Sequence, residues 1–510
     1  MSRKSIIFLI WPCLWALQAC RNEASVPSRY TQLDCDAAVY PDYRNIVVPA
    51  NIAPLNFLVE DPSATEFVVE FHGKGIPLTV GANRNGKICI DSVAWRKMLL
   101  ENRGDVIQVS VYANQKDGWK KYNEYSISVA EEEIDNYLSY RLIEPGYEMY
   151  RQLGLYQRNL TNWDVNVIYE NDREYSEKDV HCINCHNFRN NSTQDMLFHV
   201  RGAHNGTIFV RDGVPTKVQI KDSTIITSGV YPSWHPTEDL VAFSTNLTGQ
   251  AFHIFHNEKV EVVDEASDLL LYDVAKNEVN HIVRSRMQLE TFPCWSPDGT
   301  TLYFCSCDLK GRVEETMPDS LITSYILSHF DSIYYDLMKV KFDVGNRTFS
   351  EPQMAVAASA LHKSITVPRV SPDGRYVLYT LGDYGQFHIW HKSSDLWVKD
   401  LEKDSCYALS EANSEEAESY HSWSSNGRWI VFSSRRDDGN YTRPYIAYFD
   451  KNGTAHKAFL LPQEDPGANV LLLKSYNVPE FTKDRVNVNA DSLRDCVYKT
   501  TGINTKYIQK

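Results

Sequence analysis

From residue 206 onward, short apolar runs alternate with turn residues in a recurring order. Trp234-His235-Pro236-Thr237-Glu238-Asp239 leads into Leu240-Val241-Ala242-Phe243-Ser244, and Trp295-Ser296-Pro297-Asp298-Gly299 into Leu302-Tyr303-Phe304-Cys305-Ser306. Val370-Ser371-Pro372-Asp373-Gly374 leads into Tyr376-Val377-Leu378-Tyr379-Thr380, and Trp423-Ser424-Ser425-Asn426-Gly427 into Trp429-Ile430-Val431-Phe432-Ser433. Pro, Asp and Gly set a tight turn, and the apolar flanks form two paired strands. A third apolar segment follows each copy, as in Asp268 to Asp273, Asp336 to Val340, Asp395 to Asp400 and Pro444 to Tyr448. The copies lie further apart than the roughly 40–45 residues of a compact propeller blade, so loops are inserted, most clearly at 308–334. Flanking strands, Thr207 to Val210 before the repeats and Leu471 to Leu473 after them, are expected to supply one or two blades beyond these four. A ring of such units protects every edge strand, so the pattern predicts a C-terminal β-propeller of about six blades over 206–510.

Upstream the pattern differs. Residues 45–130 hold short alternating segments rich in Val, Ile, Phe and Tyr, such as Phe67-Val68-Val69-Glu70-Phe71, punctuated by Gly81-Ala82-Asn83-Arg84-Asn85-Gly86. They read as a small β-sandwich. Glu131-Glu132-Glu133-Ile134-Asp135 places acidic residues where a helix dipole favours them, and Pro145-Gly146 interrupts the stretch that follows. Residues 131–205 are therefore expected to be a short helical connector, and 20–44 a polar tether. The fold class expected is mainly β.

Composition narrows the function classes. The formal charge of the 510-residue chain is −14, which argues against a nucleic-acid partner, since phosphate binding needs a concentrated basic face. Eleven cysteines are too few for a disulfide scaffold. Arg3 and Lys4 precede the apolar run Ile6 to Trp11, which reads as a secretory signal over 1–19. Leu17-Gln18-Ala19-Cys20 resembles the bacterial lipobox, with Gln18 departing from the usual small or aliphatic residue. The resemblance implies lipidation of Cys20 and a membrane attachment through that lipid.

One motif carries sharp chemistry. In His181-Cys182-Ile183-Asn184-Cys185-His186, the C-x-x-C-H spacing is the attachment signature of c-type haem. Two thiols add across the haem vinyl groups, and the adjacent imidazole ligates the iron. Cys182 and Cys185 would form the thioethers and His186 the proximal bond to one haem c. For the distal position His199 ranks first, Met196 second and His204 third; His199 would lower the potential and Met196 raise it. His181 is expected beside the macrocycle. A thioredoxin-like dithiol, a structural zinc site and a plain loop are the competing readings. Cys294, Cys305 and Cys307 read as core residues, and acidic runs such as Glu415-Glu416-Ala417-Glu418 as solvated loops. No G-x-S-x-G elbow of a propeller-capped serine peptidase occurs.

The Ser-Pro-Asp-Gly units resemble the repeats of TolB-type β-propellers. Together with the lipobox, Tyr140-Arg141-Leu142-Ile143-Glu144-Pro145-Gly146-Tyr147 and Cys182-Ile183-Asn184-Cys185-His186-Asn187-Phe188, the chain resembles a family of Bacteroidota lipoproteins. Members are often labelled cytochrome c or cytochrome-c-biosynthesis proteins. The resemblance implies an envelope protein, lipid-anchored at the outer membrane, bearing one haem. The expected function is one-electron transfer, with the propeller meeting a redox partner protein or a ligand. Two alternatives stand beside it: a propeller scaffold with a structural or sensory haem, and a peroxidase-like haem enzyme.

Overall fold

The computed structural model describes residues 24–144, 152–171, 178–253, 258 and 260–509, so Cys20 and the signal lie outside it. The Ser-Pro-Asp-Gly repeats close as their chemistry requires. Ser296 Oγ donates to Asp298 Oδ1 at 2.5 Å and accepts from the Thr301 amide at 3.0 Å, while Gly299 takes φ +70°. Ser371, Asp373 and Gly374 repeat this, as do Ser424, Asn426 and Gly427. Each turn joins two antiparallel strands. In the Trp234 copy, His235 Nδ1 accepts instead from the Thr237 and Glu238 amides, and Nε2 donates to the Gly299 carbonyl of the next copy.

Six such sheets follow one another. Their first, innermost strands are β1 (His181–Phe188), β2 (Gly229–Trp234), β3 (Gln288–Trp295), β4 (Ser364–Val370), β5 (Glu418–Trp423) and β6 (Ser475–Thr482). Each contacts the next, and β6 contacts β1, so the six strands form a closed cycle. Behind β1 to β5 lie strands drawn in order from the following sequence. Behind β6 lie Tyr137–Ile143, Leu153–Asn159 and Val165–Glu170, so the sixth sheet joins two distant parts of the chain. Near the C terminus, Ile503–Asn504 pairs with the outer strand of the first sheet and Lys506–Tyr507 with that of the second. The fold is mainly β and propeller-like.

Four expectations need correction. Residues 131–205 are not a helical connector, because strands run through Tyr137–Ile143, Leu153–Asn159, Val165–Glu170, His181–Phe188 and Asp195–Gly202. The acidic run does not open a helix. Tyr448 donates to Glu132, Asn426 to the Glu133 carbonyl and Ser425 to Asp135, so these residues dock on the fifth sheet. The ring accordingly begins at Tyr137 rather than at 206. Leu471 to Leu473 form no strand: Ala468–Leu471 is a helical turn with Leu471 exposed, and the strand starts at Ser475.

The N-terminal unit contains a seven-stranded and a three-stranded sheet, with one helix, α1 (Ser92–Glu101), that the alternating pattern did not announce. Asp91 caps α1 by accepting from the Ala94 amide, and Trp95, Met98 and Leu99 bury its inner face. The 20–44 tether is shorter than expected, since Thr31–Gln32 and Val39–Tyr40 already pair into these sheets. Phe67, Phe71 and Ile107 share one core cluster with Trp429, Ile446 and Phe481 of the ring. The loop over 308–334 carries a second helix, α2 (Asp319–Ser328), whose Ile322 and Ile326 pack on the third sheet's core.

The acidic run near 415 is likewise not uniformly solvated. Glu418 is fully buried, accepting from Arg436 at 3.0 Å, Ser434 at 2.8 Å and Ser414 at 2.7 Å, whereas Glu415 is exposed. Glu418→Ala is expected to lower unfolding free energy by about 3 kcal/mol or more, because Arg436 loses its partner. Glu415→Ala should stay within about 0.5 kcal/mol of the parent. Chemical denaturation distinguishes the two; equal small effects would contradict the buried pairing.

Candidate functional site

The cycle of inner strands shares one distortion. In each, the register with the neighbouring strand slips at a bulge, and one residue takes the left-handed conformation: Cys185, Tyr231, Phe292, Val367, Tyr420 and Val478, with φ from +43° to +54°. The residues that follow are His186, Pro232, Pro293, Pro368, His421 and Pro479. Proline suits this place because it strands no amide donor where pairing is broken. Left-handed backbone is uncommon for aromatic side chains and an outlier for Val, so each bulge stores strain of about 1–3 kcal/mol. All six left-handed residues line one cavity of about 460 Å³ in the middle of the cycle. That volume falls within the roughly 300–1,000 Å³ of small-molecule sites.

The C-x-x-C-H motif lies on β1, and Cys182, Cys185 and His186 all line this cavity. Cys182 faces the same side of the sheet as its cross-strand partner Arg201. Two residues at the bulge, Cys185 and His186, interrupt the pairing between Asn184 and Asn187. Burial pushes the Cys182 thiol up, against the opposing pull of Arg141 and Arg201. His186 is buried, and burial, followed by the nearby Arg141 charge, pushes its imidazole down to about 3, so it stays neutral. Its Nε2 has no hydrogen-bond partner among the described residues. Glu480 Oε2 lies 3.9 Å from that nitrogen. The same carboxyl accepts from the Phe188 amide at 3.0 Å and Asn187 at 3.1 Å, and burial pushes it up to about 8.

His421 on β5 is the counterpart of His186. Burial, followed by the nearby Arg369 charge, pushes it down to about 3. Its nitrogens, however, are both engaged, Nε2 with the Leu378 carbonyl at 3.2 Å and Nδ1 with Thr380 at 3.5 Å. An imidazole nitrogen left over is what distinguishes His186.

The distal candidates are not brought to the cavity. Met196 packs with Ile183, Phe188 and Phe198 in the hydrophobic cluster between the first and sixth sheets. His199 is buried one strand outward, bonded through Nδ1 to Thr207 at 3.3 Å, and burial pushes it down to about 3. His204 pairs with Asp179 at 3.2 Å and packs on Tyr498. Neither His199, Met196 nor His204 lines the cavity. His181 also turns away, its nitrogens 2.8 Å from the Tyr169 hydroxyl and 2.8 Å from the Asp179 carbonyl. Among the described residues, no three His, Cys, Asp or Glu side chains converge to hold a metal ion.

The rest of the wall was missed from sequence. Arg141, Arg201 and Arg369 reach the cavity from three sheets, and Phe387 and Trp390 enter from the loop after the fourth sheet's second strand. The long hairpin Leu240–Phe252 and Val260–Asp273 adds Asn246, Thr248, Gln250 and Val262. It is fastened to that loop by Glu261 and His391 at 3.0 Å and by Gln386 to the Val262 carbonyl at 3.4 Å. One signal was legible. Tyr231-Pro232-Ser233-Trp234, Phe292-Pro293-Cys294-Trp295 and Val478-Pro479-Glu480-Phe481 share a pattern that Cys185-His186-Asn187-Phe188 also fits, which makes the motif one copy of the repeat.

Behind the cavity wall, Asp264 holds Asn246, whose Nδ2 donates to both carboxylate oxygens at 2.9 Å. Burial pushes Asp264 up to about 7, above the about 3.9 of an unfolded chain. The folded state then binds this proton more tightly, so the contribution is complete below about pH 4 and lost as pH rises through about 7. Asp264→Asn is expected to flatten the fall in melting temperature between about pH 4 and 7. Parallel wild-type and variant profiles would contradict the assignment.

No family model matches the chain, and no curated protein does. Among solved structures, it is similar to prolyl oligopeptidase B from Galerina marginata, with 10% identity and a TM-score of 0.34 over 69% of this chain and 42% of that one. An oligogalacturonate lyase in complex with manganese gives 12% identity and a TM-score of 0.29 over 84% and 99%. A prolyl endopeptidase gives 10% and 0.30 over 65% and 50%. The chain thus spans less than half the length of the first of these. Likenesses this distant leave the architecture to rest on the strand pairing itself.

Proposed function

We propose that this chain is an exported, lipid-anchored monohaem c-type cytochrome acting in one-electron transfer, its six sheets forming a six-bladed propeller that meets a redox partner or ligand. The observation that carries the reading is the unpartnered, buried Nε2 of His186 on the same cavity wall as Cys182 and Cys185. A neutral imidazole with an unengaged ring nitrogen is the state in which histidine ligates iron. Haem c, joined to Cys182 and Cys185 and ligated by His186, supplies a one-electron iron couple. The residues around it keep the imidazole neutral and oriented, and the aromatic wall limits water.

A second reading, a propeller scaffold or binding protein, is favoured by one observation: His186 occupies the repeat position that His421 fills with no cysteines nearby. On that reading His186 clasps neighbouring sheets and the cavity receives a ligand without covalent attachment.

Expression in a host competent for cytochrome c maturation separates the two. A pyridine haemochrome spectrum of the thioether type, surviving acid-acetone extraction and lost in Cys182→Ala and Cys185→Ala, is the expected result. Complete absence of covalent haem in wild type would overturn the cytochrome reading. His186→Ala should retain attachment but shift the Soret band, whereas His199→Ala and Met196→Leu should leave the spectrum unchanged. Carbon monoxide binding to the reduced protein would mark an open sixth position and favour the peroxidase-like alternative.

A further inference from the structure

The cavity that carries the two thiols is also where this acidic chain gathers positive charge. The formal charge is −14, yet Arg141, Arg201 and Arg369 line the cavity and no Asp or Glu does. The Arg141 guanidinium is fixed by neutral acceptors, the Ile183 carbonyl at 2.9 Å and Asn477 Oδ1 at 3.2 Å, and its buried Nε has no partner. Arg369 donates to the Pro368 carbonyl at 3.0 Å. Among the described residues neither Arg141 nor Arg369 has an ion-pair partner within 4 Å.

For Arg141 and Arg369, partly buried guanidinium groups with no ion pair, burial is costly, and the cost is offset when an anion binds them. Guanidinium pairs carboxylate in a planar, two-bonded geometry that an ammonium does not match. The three arginines stand on separate elements: Tyr137–Ile143 of the sixth sheet, Asp195–Gly202 of the first, and β4. Tyr231, Phe292, Phe387, Trp390 and Tyr420 supply the remaining apolar wall. Such a site suits a flat, largely apolar ligand with acidic groups on its rim.

We propose that Arg141, Arg201 and Arg369 form a carboxylate-binding cradle for such a ligand; its identity as haem, whose propionates would be the carboxylates, rests on the reading above. The cradle makes its own prediction, since it acts before and without thioether formation.

The test uses the full chain made in a host lacking haem-attachment machinery, titrated with ferric protoporphyrin IX and with its dimethyl ester. Absorbance and tryptophan quenching report binding. The acid is expected to bind at least tenfold tighter than the ester. Arg201→Gln and Arg369→Gln should each weaken the acid about tenfold and leave the ester unchanged. Arg201 is exposed, so its variant keeps the fold, which thermal unfolding verifies. Equal affinity for acid and ester, or acid affinity indifferent to both substitutions, would overturn the cradle. Cys182→Ser/Cys185→Ser should retain selective, arginine-dependent binding. If wild type forms no covalent haem in a competent host while that selectivity persists, the cytochrome reading falls and the cradle stands. If covalent haem forms but the arginine variants bind the acid normally, the reverse holds.

Discussion

Everything at the centre of this molecule depends on a bulge repeated in six strands. A regular inner strand would aim alternate side chains into the two flanking sheets and offer little to the axis. Inserting one residue, with its backbone in the left-handed region, adds a side chain to the axial cavity while pairing resumes on either side. Six left-handed residues, two of them valines, are expensive, and they persist because the sheets on both sides over-determine them. Proline at four of the six following positions removes the amide that the bulge would otherwise leave unpaired.

Against that near-symmetric background the first inner strand stands out. Where other copies present an aromatic ring or valine followed by proline, β1 presents a thiol followed by imidazole, with a second thiol on the same wall. The fifth strand also carries imidazole, but spends both its nitrogens on neighbours. Chemistry is thus introduced by substituting within a structural repeat, not by adding a separate domain. The hairpin of the second sheet and the loop of the fourth close over the same space, bringing apolar and amide groups but no carboxylate.

Much of the ring was legible because Ser-Pro-Asp-Gly chemistry is local: Ser296, Asp298 and Gly299 build their turn without help from elsewhere. The sixth sheet was not legible, since Tyr137–Ile143 meets Ser475–Thr482 only through pairing between distant parts of the chain. The acidic run at Glu131 imitates a helix start, and only its partners on the fifth sheet show that it docks. Cys182, Cys185 and His186 could be found from spacing alone. Met196 and His199, though near the motif in sequence, do not reach the cavity, because strand pairing seats Met196 in a hydrophobic cluster and His199 against Thr207. Arg141, Arg201 and Arg369 had no local signature, because each becomes part of the wall through a different sheet.

The joining of early and late segments in the sixth sheet orders events in time. Emerging in sequence, β1 is the first inner strand and β6 the last, so the two thiols exist well before the wall opposite them does. During that interval Cys182 and Cys185 lie on an unfinished arc, open to a catalyst of any size. Once Ser475–Thr482 pairs with Tyr137–Ile143 and packs against β1 and β5, the motif is reached only through a cavity of about 460 Å³. Ring closure therefore divides access to the motif into two regimes, an open strand before it and a walled cavity after it.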